Sequence, residues 1–271
     1  MPHGKLILDP DEVEQLRDKK EVMIIDLCSA AQYVIAHIPE ACYLPYQHIV
    51  RSAKPVMGLL PEPAVFSRLL SNLGVNKHTH VIAYDDEGGG CASRLVWTLH
   101  VFGHTNASII NGGIISWINE AHEVSALPPI NRPVSTYALG ITGKETVDAN
   151  YIMNKLGNTS TALLDARSAA EYSGAKKLAD KAGHIPGAKL YEWTDAMDRQ
   201  HNMRLLPDQQ IQHKLDALGL TRDKEIICYC QSHHRSAFSW ILLKHLGYTE
   251  VKGYPGSWSD WGNRADTPIE T

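Results

Sequence analysis

The chain states one pattern twice. IIDLCSAAQYVIAHIPEA matches LLDARSAAEYSGAKKLADKAGHIPGA, aligned on Asp26 and Asp165. Each reads Asp, two residues, Ser-Ala-Ala, an acid or amide, Tyr, and later His-Ile-Pro. His37 pairs with His184 and Pro39 with Pro186, and the second copy holds eight more residues between its Asp and its His. The match resumes where VIAYDDEGGGCASRLVWTLHVFGH (81–104) overlies EIICYCQSHHRSAFSWILLKHLGY (225–248) at an offset of 144. At that offset Gly103 falls on Gly247 and Trp117 on Trp261. A repeat of about 130 residues is the size of a domain. The expected organisation is one domain over residues 1–124, a linker over 125–143 and a second domain over 144–271. The stretch HEVSALPPINRPVSTYALGITG supports the linker, with three prolines and few clustered apolar residues.

Within each copy short apolar runs alternate with helical patterns. Residues 22–27, 81–84, 163–166 and 226–230 read as buried strands. Residues 61–73 and 208–218 read as amphipathic helices, stopped by Gly74 and Gly219. Such alternation predicts an α/β class, in which each domain has a mainly parallel sheet flanked by helices.

Other features narrow the function. The net charge is −4, which gives no global electrostatic case for nucleic acid or an anionic membrane. No apolar run approaches the ~20 residues that span a bilayer. The opening MPHGKLILDPDEVEQL lacks a charged-then-apolar signal pattern, so a cytoplasmic protein is expected. The five cysteines, at 28, 42, 91, 228 and 230, are odd in number and sparse, which suits no disulfide scaffold. Cys228 and Cys230 form C-x-C, and no second pair stands at zinc-ligand spacing, so no metal is expected.

The chemistry concentrates in EIICYCQSHHRSAFSWILLKHLG. An apolar run ends at Cys230, followed by Gln231, Ser232, His233, His234, Arg235 and Ser236. Residues 236–246 then carry helical spacing, with apolar side chains at 238, 241, 242 and 246. A cysteine between a strand's C-terminal end and a helix N-terminus sits where α/β sheets bind ligands. Unpaired N–H groups and the helix dipole there favour an anion. Arg235 adds a permanent positive charge. These influences lower a thiol below its free value of ~8.5 and make it nucleophilic near neutrality. The histidines add positive charge at mildly acid pH, since a free imidazole titrates near ~6.5. Adjacent histidines point apart, which opposes a joint metal site with Cys230.

The first copy serves as an internal control. At the offset of 144, Asp86 stands where Cys230 stands, and EGGGC replaces QSHHR. The first copy keeps the frame and lacks the nucleophile. Asp26/Asp165 and His37/His184 occur in both copies, so they are expected to serve the fold. Arg167 faces Cys28 in the alignment and is unique to the second copy. It is read either as facing the cleft and binding substrate or as pairing with a carboxylate near Glu171. Trp193 is read either as core packing or as a wall of the site.

The chain resembles the tandem-domain rhodanese sulfurtransferases. The resemblance rests on Asp-Ala-Arg, on Gly-His-Ile-Pro-Gly-Ala (183–188), on the cysteine loop and on Gly-Ser-Trp-Ser-Asp-Trp-Gly-Asn (256–263). It covers nearly the whole chain, and an inactive first copy with Asp in place of Cys is typical of the family. Trp193 follows the Gly-His-Ile-Pro-Gly-Ala stretch, which borders the active site in rhodaneses. The loop has four residues between Cys230 and Arg235, whereas the related cell-cycle phosphatases have five. Gln-Ser-His-His-Arg resembles a bacterial subgroup and departs from the Cys-Gly-Ser-Gly-Val-Thr loop of mercaptopyruvate enzymes.

The resemblance implies a thiosulfate sulfurtransferase working by double displacement through a Cys230 persulfide. The partners implied are a small anionic sulfur donor and a cyanide, thiol or dithiol-protein acceptor, with no metal or organic cofactor. Two alternatives stand beside it. One is a persulfide relay that serves a cysteine desulfurase. The other is a Cys-loop phosphatase or arsenate reductase.

Overall fold

The computed structural model describes residues 4–129 and 132–271, so residues 130 and 131 of the expected linker lie outside the described residues. Along the chain the strands are Ile7–Leu8 (β1), Val22–Asp26 (β2), Cys42–Tyr43 (β3), Arg51–Ala53 (β4), Val56–Leu59 (β5), His80–Tyr84 (β6), Ala107–Ile110 (β7), Thr161–Asp165 (β8), Lys189–Leu190 (β9), Met197–Asp198 (β10), Arg204–Leu205 (β11), Glu225–Tyr229 (β12) and Val251–Gly253 (β13). The helices are Pro10–Leu16 (α1), Ala30–Ile35 (α2), Pro63–Asn72 (α3), Gly90–Val101 (α4), Gly113–Asn119 (α5), Ala149–Met153 (α6), Ala169–Tyr172 (α7), Asp208–Ala217 (α8), Arg235–His245 (α9) and Ser257–Trp261 (α10).

The chain forms two compact units, neither continuous in sequence. The first comprises Met1–Ile49, Pro61–Thr142 and Asp198–Leu205. The second comprises Val50–Leu60, Gly143–Met197 and Leu206–Thr271. Segments 50–60 and 198–205 thus belong to the unit built mainly by the other copy. Within the first unit residues 132–142 are tied to the rest of the unit by hydrogen bonds. Arg132 donates to the Val22 carbonyl at 2.9 Å, Ser135 N–H to Ser71 at 2.9 Å and Thr142 N–H to Val101 at 2.9 Å.

The first unit's sheet has the order β1-β7-β6-β2-β3 and the second's β13-β12-β8-β9, all parallel. Parallel strands are covered on both faces, which is why β2 and β6 read as nearly unbroken apolar runs. What remains of a fifth strand in the second unit is a single bridge between Thr146 and Gly253. Each unit closes its own core around matching residues. Ile24, Ile82, Tyr84 and Trp117 pack in the first, and Leu163, Ile227, Tyr229 and Trp261 in the second.

The shared motif residues serve this frame. His37 stacks on Tyr33 at 4.0 Å and bonds the Tyr33 carbonyl through Nδ1. His184 stacks on Tyr172 at 3.6 Å and bonds the Tyr172 carbonyl in the same way. In each unit this histidine also forms a two-way backbone bridge, His37 with Ser125 and His184 with Glu270.

The candidate active site

β12 ends at Tyr229, and α9 begins at Arg235, so the loop is as short as the sequence indicates. Cys230 is a free thiol with no exposed surface. Ser257 holds the loop from beneath. Its hydroxyl accepts from Cys230 N–H at 3.3 Å and His233 N–H at 3.1 Å, and donates to the Tyr254 carbonyl at 2.8 Å. The Cys230 carbonyl accepts from Trp258 N–H at 2.9 Å and the Gln231 carbonyl from Ser259 N–H at 2.9 Å. Two non-glycine residues adopt left-handed backbone to fit, His233 at φ +52° and Ser257 at φ +50°. That conformation costs energy, and strain of this kind concentrates where structure serves function.

Side chains divide the loop into an inner and an outer face. His233 is fully buried, with Nδ1 2.7 Å from Ser236 Oγ. The Ser236 hydroxyl and N–H and the Ser232 N–H all favour a negative sulfur on Cys230. For that hydroxyl to donate to sulfur, His233 must donate from Nδ1, which assigns its tautomer. His233 is therefore part of the loop's support. His234 lies outward and partly exposed, its ring 6.0 Å from Trp193, which in turn packs edge-on against Phe238 at 5.8 Å. Trp193 thus stands beside the loop. Gln231 donates to the Leu178 carbonyl at 3.2 Å, inside the stretch that lengthens the second copy.

Arg235 is clamped by a carboxylate that the sequence motifs do not assign to it. Its two terminal nitrogens lie 2.8 and 2.9 Å from the two Glu171 oxygens, a bidentate pair. Glu171 also caps its own helix, since Ser168 N–H and Oγ bond Oε2 at 3.2 and 2.9 Å. Burial pushes this carboxyl up, but Arg235 and Ser168 outweigh it and hold Glu171 at about 2. The pattern Ser-Ala-Ala-Glu is a capping box and marks the helix start in the sequence, but nothing local reveals its second role.

Arg167 pairs with a carboxylate two residues before it. Its guanidinium bonds Asp165 at 2.6–3.1 Å and the Gly183 carbonyl at 2.8 Å, and stacks 4.4 Å over Trp258. It is 1% exposed. In the first copy the matching Asp26 takes hydrogen bonds from Cys28 N–H and the Tyr84 hydroxyl instead. Arg167 therefore neutralises a buried carboxylate and braces the sheet end.

The counterpart of Cys230 is corrected: it is Asp85, not Asp86. Tyr84 pairs with Asp26 as Tyr229 pairs with Asp165, and their carbonyls accept from Leu27 and Ala166. Gly88 and His233 then share left-handed backbone, and α4 and α9 begin together at Gly90 and Arg235. α4 has 12 residues and α9 has 11, so the repeat slips by one inside the helix. The Asp85 carboxylate accepts from the N–H groups of Glu87, Gly89 and Ala92 at 3.1, 2.7 and 2.9 Å. These amides favour the Asp85 carboxylate, while burial and Glu87 outweigh them and raise it to about 6.

These surroundings decide the state of Cys230. Burial alone would raise its thiol. The charge of Arg235, the Ser236 hydroxyl and the amides of Ser236 and Ser232 together prevail, and the thiol lies below its ordinary 9.0. Cys228 has no such help, and burial leaves its thiol well above the usual range. A lowered group gains its charge at lower pH, so alkylation of Cys230 by iodoacetamide is expected to rise with pH and level off. The midpoint should lie below that of a free thiol, and a midpoint at or above it would contradict this electrostatic account.

The fold and site define a class: two α/β units with parallel sheets, one carrying a cysteine between a strand end and a helix start and the other a carboxylate in its place. The rhodanese-like domain family matches residues 9–120 and 148–264. Thiosulfate sulfurtransferases of Pseudomonas aeruginosa and Azotobacter vinelandii are each 41% identical to this chain, over 98% of it and 97% of their own lengths. A protein of Thermus thermophilus described as sulfur carrier protein TtuD is 30% identical over 98% of this chain and 97% of its own. The chain belongs to the rhodanese family, in two copies.

Proposed function

We propose that this chain is a thiosulfate sulfurtransferase in which Cys230 carries the sulfur. The observation that best supports this is the placement of the Cys230 sulfur where the first copy's loop amides receive a carboxylate. The Cys230 thiolate attacks the outer sulfur of thiosulfate. A new S–S bond forms at Sγ, the S–S bond of thiosulfate breaks, and sulfite leaves with the electron pair. The amides of Ser232 and Ser236 and the Arg235 charge stabilise the anionic persulfide. Cyanide or a thiolate then attacks the terminal sulfur, and Cys230 departs as thiolate. The two half-reactions balance without an external oxidant or reductant.

Gln231, His234 and Trp193 form the partly exposed rim in this reading and contact donor or acceptor. Their polar and aromatic surfaces suit a small anion approaching beside Arg235. The reading places the protein in the cytoplasm, where five cysteines outside any disulfide, one of them a reactive thiol, are kept reduced. Among the described residues no helix is long and apolar enough to cross a membrane.

Intact mass after brief exposure to thiosulfate tests the reading. One added sulfur, absent from Cys230→Ala, is expected. No addition removes thiosulfate as donor. A second reading, persulfide relay to or from a protein partner such as a cysteine desulfurase, is favoured by the likeness to the Thermus sulfur carrier. It predicts persulfide from a desulfurase with little thiocyanate formed from thiosulfate and cyanide.

A further inference from the structure

Eleven residues of the first copy's sequence, Val50–Leu60, belong to the unit that holds Cys230. Within them β4 and β5 pair antiparallel, Arg51 opposite Leu59 and Ala53 opposite Val56. β5 packs on α10, the helix whose first residue, Ser257, anchors the cysteine loop. Met57 N–H donates to Ser259 Oγ at 3.1 Å, and Ser259 N–H donates to the Gln231 carbonyl at 2.9 Å. The next residue, Gly58, comes closer still. A Cβ there would lie 2.0 Å from the Ser232 carbonyl oxygen, 2.5 Å from its carbon and 2.7 Å from the Pro255 carbonyl oxygen. All three are backbone atoms, so none can turn aside as a side chain would.

We propose that Gly58 is a positioning residue for sulfur transfer: the hairpin supplied by the first copy seats the Ser232 peptide and thereby aims the loop's N–H groups at the Cys230 sulfur. The Ser232 peptide is the point where the loop turns. On one side of it the Ser232 N–H faces Cys230, and on the other the His233 N–H reaches Ser257 at left-handed φ. The absence of a side chain at 58 lets the β5 backbone set the height of that peptide. Any larger residue must lift the Ser232 carbonyl or push the hairpin off α10. Such a hairpin gives the second copy a physical reason to keep a first copy that has Asp85 in place of the loop cysteine. This proposal rests on Cys230 being the sulfur-carrying nucleophile.

The test uses the full chain as wild type, Gly58→Ala and Ser259→Ala, with Lys54→Ala at the exposed hairpin end as control. Gly58→Ala should lower kcat/KM for thiosulfate by about ten- to hundredfold, mainly through kcat, since misplacement near 1 Å costs on that order. It should also move the pH midpoint of Cys230 alkylation upward, and Lys54→Ala should change neither. A purely structural role would lower the melting temperature and leave the midpoint unmoved. Wild-type values for Gly58→Ala in both assays would overturn the proposal. If Gly58→Ala does not fold, Ser259→Ala decides, because it removes the Met57 anchor without adding bulk. An upward midpoint supports the proposal, and an unchanged one overturns it. Alkylation needs no sulfur donor, so failure of wild type to take sulfur from thiosulfate counts against the donor alone and leaves the alkylation result for Gly58 standing.

Discussion

Cys230→Ala is expected to lower sulfur transfer by at least about 10⁴-fold, because no other atom in the loop can hold the transferred sulfur. Cys228, two residues earlier, is fully buried on β12, and its thiol is pushed up by burial. It cannot substitute. The substitution removes one sulfur from a loop whose backbone is held by Ser257, Trp258 and Ser259, so the fold should persist. Steady-state thiocyanate formation and the thermal melt check both halves of this expectation. Residual turnover above about one part in 10³ would move the nucleophile elsewhere.

Arg235→Ala should produce the second largest effect, and it acts twice. First, it deletes the strongest influence opposing burial of the Cys230 thiolate, so the thiol rises and turnover at neutral pH falls by about 10²-fold, the usual cost of losing one charge-stabilising group. Higher pH should recover part of this loss. Second, it leaves Glu171, 3% exposed, as a buried carboxylate without its cation. Breaking such a pair from one side costs about 3–5 kcal/mol. Adding Glu171→Ala should return part of the stability but none of the lost activity. A double variant no more stable than Arg235→Ala would show that the pair contributes little to the fold.

The same pair sets an acid limit. Glu171 lies at about 2 in the fold against an ordinary 4.5, so its contribution is complete above about 4.5 and vanishes as pH falls through about 2.

Several site features were available from local pattern. The apolar run ending at Cys230, the helical spacing after it and the duplicated Asp and His-Ile-Pro motifs are short-range signals. They reflect backbone preferences and burial that each segment expresses by itself. The observed helices and strands accordingly lie within two residues of the expected ones, as with α8 at Asp208–Ala217 against 208–218. The offset of 144 misplaced the counterpart of Cys230 because the glycine and tryptophan landmarks lie beyond the extra residue in α4. Hydrogen bonds to Tyr84 and Tyr229, which no alignment displays, restored the register.

The sequence by itself determined that there are two α/β copies, and that the second alone carries a cysteine, Cys230, between a strand end and a helix start. Side-chain allegiance was settled only in three dimensions. Arg167 and Arg235 both lie near acidic residues in the second copy, yet Arg167 goes to Asp165 and Arg235 to Glu171, 64 positions away. Adjacent His233 and His234 part company because left-handed backbone at 233 turns one ring into the core. Gly58 meets Ser232 through a hairpin whose neighbour Met57 bonds a residue 202 positions distant. Periodicity records which residues are buried. Which buried groups touch is decided by packing and charge pairing once the chain has folded, and that choice has no local signature.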